Sequence, residues 1–167
     1  MYERTVKISS TGKTFSFTGW KIGYTCAPAA LSAAIRTAHQ FITFCNSGPF
    51  QPAMALGLGF GDDFYEELRE GYRRKRDLMA NGLRAAGFGV DDPAGTYFIV
   101  ADIRPLGYDD DVELCKLLPE KTGVAAIPAS AFYVDKAAGR HQVRFAFCKR
   151  EEILRDGLER LARLPRR

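Results

Sequence analysis

An α/β chain whose second part is an α+β layer of helices on a small sheet is predicted by three features of the sequence. After Gly87, β-like runs at 97–103, 123–127 and 142–147 alternate with helical runs at 110–118 and 151–164. Before it lies a long amphipathic stretch opened by Asp62 or Asp63 and closed by Gly87, with Leu68, Tyr72, Met79 and Leu83 on one stripe. The opening segment instead carries short β-like runs followed by shorter helical ones. At 167 residues, 46% hydrophobic and 12% aromatic, the chain can bury a core, which excludes global disorder. No internal repeat is visible.

The elements follow in order. Val6-Lys7-Ile8 alternates apolar and polar residues, and 20–25 sets Trp20, Ile22 and Tyr24 on one face against Lys21, Gly23 and Thr25 on the other. The polar segment 9–16 between these two runs reads as a loop. Pro28 suits a first helical position, and Leu31, Ile35, Ala38 and Ile42 recur at spacings of three and four, which predicts a helix over 29–44. Residues 45–48 break it, and Ser47 is placed to cap a second helix over 49–59. In the second part, Asp91-Asp92-Pro93-Ala94-Gly95 and the stretch 134–139 carry turn chemistry.

Charge and composition narrow the function classes. Twenty-four Lys+Arg against 20 Asp+Glu leave +4, spread along the chain, so no polyanionic partner such as nucleic acid is required. The longest apolar stretch, 52–60, is far shorter than the ~20 residues of a spanning helix. Met1-Tyr2-Glu3-Arg4 leads into no apolar secretory core. A soluble, cytoplasmic protein without membrane contact is expected. Cys26, Cys45, Cys115 and Cys148 show no C-x-x-C spacing and read as buried free thiols rather than zinc ligands or a disulfide framework.

Lys13 is the first candidate for chemistry, in a loop of small and hydroxylic residues between two strands. A lysine that traps a carbonyl must be partly neutral, which a desolvated or cationic surrounding favours, and Lys21 supplies a neighbouring charge. Ser9, Ser10 and Thr11 can hydrogen-bond an anion such as a phosphate, and Gly12 lets backbone approach a ligand without an intervening Cβ. From these cues alone a solvated loop lysine is the simpler reading. The Gly12-Lys13-Thr14 triplet ends like a Walker A motif, but the motif requires glycine at position 7, which is Lys. Arg144 lies in an apolar strand with Val143, Phe145 and Phe147, where an arginine needs an anionic partner; the alternative is one polar residue on an exposed strand face. His39 and His141 lack metal-ligand company and read as surface or packing residues. Arg73-Arg74-Lys75-Arg76, with Glu66, Glu67, Glu70 and Asp77 nearby, reads as a solvated helix face with i to i+4 pairs. Trp20 and the phenylalanines read as core.

The segment Ser10-Thr11-Gly12-Lys13-Thr14-Phe15-Ser16-Phe17-Thr18-Gly19-Trp20-Lys21-Ile22-Gly23-Tyr24 resembles the cofactor-lysine segment of class I/II aminotransferases of the pyridoxal-phosphate fold type I, especially the kynurenine and methionine aminotransferase branch. Pro93-Ala94-Gly95-Thr96-Tyr97-Phe98, Val124-Ala125-Ala126-Ile127-Pro128 and Val143-Arg144-Phe145-Ala146-Phe147 continue the resemblance in order, over essentially the whole chain. It implies that Lys13 carries pyridoxal 5'-phosphate covalently and shuttles the α-proton of the substrate. It further implies that Ser10 and Lys21 hold the cofactor phosphate and that Arg144 grips the substrate carboxylate with its planar fork of donors. Residues 46–51 resemble the family segment that reaches toward a neighbouring subunit.

The resemblance also implies a C-terminal part: residues 1–60 as the remnant of the large cofactor domain and 61–167 as the small domain, joined by helix 62–86. No N-P-x-N-P segment occurs, and the single D-x-x-Y spelling, Asp62-Asp63-Phe64-Tyr65, falls at the start of the long helical stretch, so the resemblance implies that the Asp that pairs with the pyridine nitrogen is not in this sequence. A first part with an incomplete sheet would expose strand edges and apolar surface, so a homodimer or association with a complementing chain is expected. The implied activity is transfer of an amino group between an amino acid and a 2-oxo acid. A carbon–sulfur β-lyase on the same scaffold and a non-catalytic dimerisation or binding remnant are the alternatives.

Overall fold

The computed structural model describes residues 1–167 and divides them into two units, Met1–Phe64 and Tyr65–Arg167. In the first, β1 (Lys7–Ser10) pairs antiparallel with β2 (Gly23–Cys26), from Lys7 opposite Cys26 to Ser10 opposite Gly23. The strand expected from Trp20 begins three residues later. Thr18–Trp20 is a 3-10 turn and Lys21 is left-handed at φ 55°, a conformation that cannot continue a strand. Trp20 stacks instead on Phe50 at 4.1 Å and on Phe17 at 4.4 Å between ring centroids.

Two helices follow, α1 (Ala29–Ile42) and α2 (Phe50–Leu58). Pro28 stands just before α1 with ψ 154°, one step outside its expected place. Ser47 does not cap α2. The residue before the helix is Pro49, already helical at φ −63°; its fixed ring presets the first turn, and no side chain caps the helix. The buried apolar residues of this unit are few: Ile22 and Met54, with Gly57 so close to the Phe15 ring that a Cβ would meet it at 3.2 Å. Helix α1 buries no residue at all, and Phe41, Ile42 and Phe44 are 82%, 82% and 76% exposed, so the expectation that the phenylalanines are core holds for Phe88, Phe145 and Phe147 but not for Phe41 and Phe44. A lone two-stranded sheet with so little buried surface has marginal stability of its own.

Helix α3 (Asp62–Ala85) starts at the end of the first unit and runs through the second, burying Met79, Ala80 and Leu83. It leads into β3 (Gly89–Val90), a strand too short to be read from periodicity, then β4 (Phe98–Asp102), α4 (Asp111–Thr122), β5 (Ile127–Pro128), β6 (Gln142–Ala146) and α5 (Glu151–Leu161). The strands form one antiparallel sheet in the order β3-β4-β6-β5. One sheet face is apolar: Ile99 and Ala101 of β4 and Val143 and Phe145 of β6 are buried, and α3, α4 and α5 contribute Leu83, Leu114 and Leu158 to the same core. Asp110 caps α4 by accepting from the Glu113 N–H at 2.9 Å. The helix then passes its expected end through Pro119 and stops at Gly123, left-handed at φ 71°. That terminator uses up the start of the strand expected at 123–127, leaving only Ile127–Pro128 paired.

The basic run on α3 shows no i, i+4 pair: Arg73 meets Glu70 at 3.3 Å, three residues away, and Arg76 meets its neighbour Asp77 at 2.7 Å, while Arg69 just before the run meets Glu66 at 3.7 Å. The cysteines overturn a second expectation. They are free, but Cys26, Cys45 and Cys148 are exposed, and Cys115 is half-buried. Burial, helped by the nearby Asp111 carboxylate, pushes the Cys115 thiol up to about 11. Against its ordinary value of 9.0, that is about a hundredfold less thiolate at a given pH. Alkylation with iodoacetamide at pH 8, followed by peptide mass mapping, should therefore modify the other three first and Cys115 last; equal rates would contradict this placement.

Candidate active site

The connection between β1 and β2 is tied at its neck. Thr11, next after the last residue of β1, is buried, and both its N–H and its hydroxyl donate to the Ile22 carbonyl, at 3.1 and 2.7 Å. Residues 12–21 are thus a closed loop, tightened by Phe15 N–H donating to the Thr11 carbonyl at 3.1 Å. Lys13 sits near the start of this loop with its side chain exposed. Ser10 and Lys21 flank the Thr11–Ile22 tie, so the hairpin register brings Ser10, Lys13 and Lys21 to one end of one element.

Glycines make that approach possible. A Cβ on Gly12 would meet the Thr18 Cα at 3.0 Å, and one on Gly23 would meet the Ser9 carbonyl oxygen at 2.6 Å. The Gly12 N–H points back to the Ser10 hydroxyl at 3.4 Å. Two of the four non-glycine residues with positive φ lie in this loop, Ser16 at 59° and Lys21 at 55°. Such residues are strained by about 1–2 kcal/mol each and persist only where the surroundings hold them. For Lys21 the holding contacts are visible: Asn46 donates from its side-chain amide to the Lys21 carbonyl, and the Thr11 tie fixes the next residue. The sequence offered no signal for Thr11 as a clamp or for Asn46 as a support, since neither depends on a spacing within one element.

Arg144 belongs to the second unit. It stands on β6 opposite Val100 of β4 and Ile127 of β5, on the sheet face turned away from the core. That is the exposed-face alternative in placement, yet the side chain is half-buried. No carboxylate lies within ion-pair distance of its guanidinium, which instead lies 4.7 Å from the Phe98 ring centroid and 4.8 Å from that of Phe132. The expected anionic partner is therefore not supplied by this chain, and aromatic faces shield the charge instead. His39 is exposed, and His141 places its Nδ1 3.2 Å from Asp109 without hydrogen-bond alignment, so neither joins the site.

A primary amine on a strained, glycine-cleared loop, flanked by a hydroxyl and a second ammonium, is the donor set that fits an aldehyde carrying a phosphate ester. In such a set the amine could address the carbonyl, and the hydroxyl and ammonium the phosphate. The residues present fit pyridoxal phosphate on that ground. No helix is long and apolar enough to cross a membrane.

Comparison with known proteins gives the family. The family model described as aminotransferase class I and II matches residues 2–161. A probable N-succinyldiaminopimelate aminotransferase of Mycobacterium tuberculosis is 51% identical over 100% of this chain and 44% of its own length. The methionine aminotransferase of Escherichia coli is 42% identical over 97% of this chain and 42% of its own. The solved structure of the N-succinyldiaminopimelate aminotransferase from Mycobacterium tuberculosis superposes with a TM-score of 0.91, covering 97% of this chain and 42% of that one. The chain thus spans less than half the length of the curated relatives it matches. With the family model covering nearly all of it and relatives of this identity aligned end to end, the chain belongs to the class I and II aminotransferases.

Proposed function

We propose that this chain forms the cofactor-lysine segment and the small domain of a pyridoxal-phosphate-dependent aminotransferase that moves an amino group between an amino acid and a 2-oxo acid. The observation that carries the reading is the tied hairpin: Thr11 and Ile22 close a loop that presents Lys13 between Ser10 and Lys21. Residues 1–60 correspond to the end of the large domain, 61–167 to the small domain, and helix 62–86 to the joint. The cofactor, when bound, supplies an electron sink that acidifies the α-carbon of the amino acid. Ser10 and Lys21 bind its phosphate, one by a hydroxyl hydrogen bond and the other by charge. Lys13 Nζ holds the cofactor covalently and, as the free amine, takes the proton from the substrate Cα. Arg144 orients the substrate by its carboxylate, a planar anion that matches the guanidinium fork.

The exposed Phe41, Ile42 and Phe44 and the unaccompanied β1–β2 pair support completion by further chain, from a second copy or a complementing polypeptide. The four free thiols are in keeping with a reducing, cytoplasmic setting.

A hybrid tests the proposal. The chain replaces the corresponding C-terminal segment of the Mycobacterium tuberculosis relative, and release of 2-oxo acid from an amino donor is measured. Turnover is the expected result. In that hybrid, Arg144→Lys should lower kcat/KM by about 10- to 100-fold, the worth of a lost charged hydrogen bond. A hybrid that folds and retains cofactor but releases no 2-oxo acid contradicts the proposal.

A further inference from the structure

Arg144 is bracketed from two neighbouring elements. Phe98 reaches it from β4, which flanks β6 on one side, and Phe132 from the 3-10 turn Ala129–Phe132, which follows β5 on the other side. Phe132 is 61% exposed, yet the turn that carries it is tied down at Ser130. The buried Asp111 carboxylate accepts from the Ser130 N–H at 2.7 Å, and Lys136 Nζ donates to the Ser130 carbonyl at 3.1 Å. Gly139 closes against the same turn so tightly that a Cβ there would meet the Ser130 nitrogen at 2.6 Å. An exposed aromatic held this firmly over a cation has a task other than filling the core.

We propose that Phe98 and Phe132 are positioning residues: their rings fix the plane of the Arg144 guanidinium so that its edge is presented to a carboxylate, with Asp111 anchoring the turn that carries Phe132. The inference rests on the reading of Arg144 as the carboxylate anchor. Its physical basis is that the N–H donors of a guanidinium lie in its plane while its faces are weakly hydrated. Rings over the faces stabilise the cation and leave the in-plane donors for a bidentate partner. An arginine held in one plane before binding loses less freedom when the carboxylate arrives. The row Val100, Arg144, Ile127 adds apolar neighbours on both sides of the cation, which lowers competition from water for the same donors.

Nuclear magnetic resonance of the full 167-residue chain, labelled with nitrogen-15, tests this directly. The Arg144 side-chain Nε–H signal is identified by its loss in Arg144→Lys. It should lie upfield of the other arginines because of the ring currents, with slowed rotation about Nε–Cζ. Phe132→Leu keeps an apolar residue of similar size and removes the ring, so the signal should move downfield, rotation should quicken, and the affinity for added 2-oxoglutarate should fall about 3- to 10-fold. Phe132→Tyr should restore all three. If Arg144 responds to 2-oxoglutarate with the same affinity and signal position in wild type and Phe132→Leu, the bracket is overturned and the carboxylate reading stands. If the bracket signature is present but Arg144 does not respond to 2-oxoglutarate, the carboxylate reading fails and the positioning role fails with it.

Discussion

Replacing Lys13 with alanine abolishes covalent retention of pyridoxal phosphate after borohydride reduction and leaves the thermal unfolding of the chain essentially unchanged. Both halves follow from the hairpin. The fold of the loop depends on the Thr11 hydrogen bonds to the Ile22 carbonyl, on Gly12 against Thr18 and on the Asn46 contact to Lys21, none of which uses the substituted Lys13 side chain. Lys13 is exposed and has no positive φ, so truncation to alanine empties no core and adds no backbone strain, and the expected cost is within about 1 kcal/mol. The chemical effect is of another order, because only a primary amine can form and keep the bond to the aldehyde. Lys21 is not expected to substitute for it: its left-handed backbone holds it at the other end of the closed loop, next to the Thr11–Ile22 tie, where the proposal makes it a phosphate partner. Mass mapping of the reduced variant checks the result, and a cofactor adduct that persists in Lys13→Ala would refute the assignment.

Phe145→Ala is the substitution expected to cost most in stability. Phe145 is 2% exposed on the core face of β6, with its ring edge-on to Phe88 at 5.4 Å between centroids. Truncating a buried phenylalanine removes its transfer free energy and leaves a cavity, about 3–5 kcal/mol together. Because Phe145 adjoins Arg144 on the central strand of the sheet, the same variant should also loosen the register that sets Arg144 opposite Val100 and Ile127. Urea denaturation followed by far-ultraviolet circular dichroism measures the loss, which should appear as a lower midpoint. A shift under 1 kcal/mol would mean that the sheet core does not support this unit.

The sequence located every α-helix: α1, α3, α4 and α5 carry an amphipathic stripe or an acidic start, and α2 is an apolar run bounded by the break at 45–48 and by Gly59. It missed the two-residue β3, and it began β2 and β5 too early, where the deciding fact is a single backbone conformation. Lys21 and Gly123 adopt left-handed geometry, and a strand cannot begin before them. Ser47 does not cap α2 for a similarly local reason: the helical φ of Pro49 sets the start of the helix two residues beyond it. Thiol exposure was misjudged because burial of Cys26 and Cys45 depends on how much surrounding chain there is to cover them, which a spacing argument does not see. Lys13, Ser10 and Lys21 were legible only through a contiguous motif whose residues the hairpin gathers at one end. Arg144 was legible as a charge in an apolar strand, but its two rings come from positions 98 and 132, and nothing local in the sequence links them.

The central claim is that Lys13 is the cofactor lysine, and borohydride reduction of the purified chain with pyridoxal phosphate, followed by peptide mass mapping, tests it most directly. A visible absorbance band before reduction and an adduct confined to the peptide carrying Lys13 are predicted, with Lys7 and Lys21 unmodified. An adduct scattered over many lysines, or none at all, would contradict the claim and leave the chain with the family's fold but without a selective cofactor site of its own.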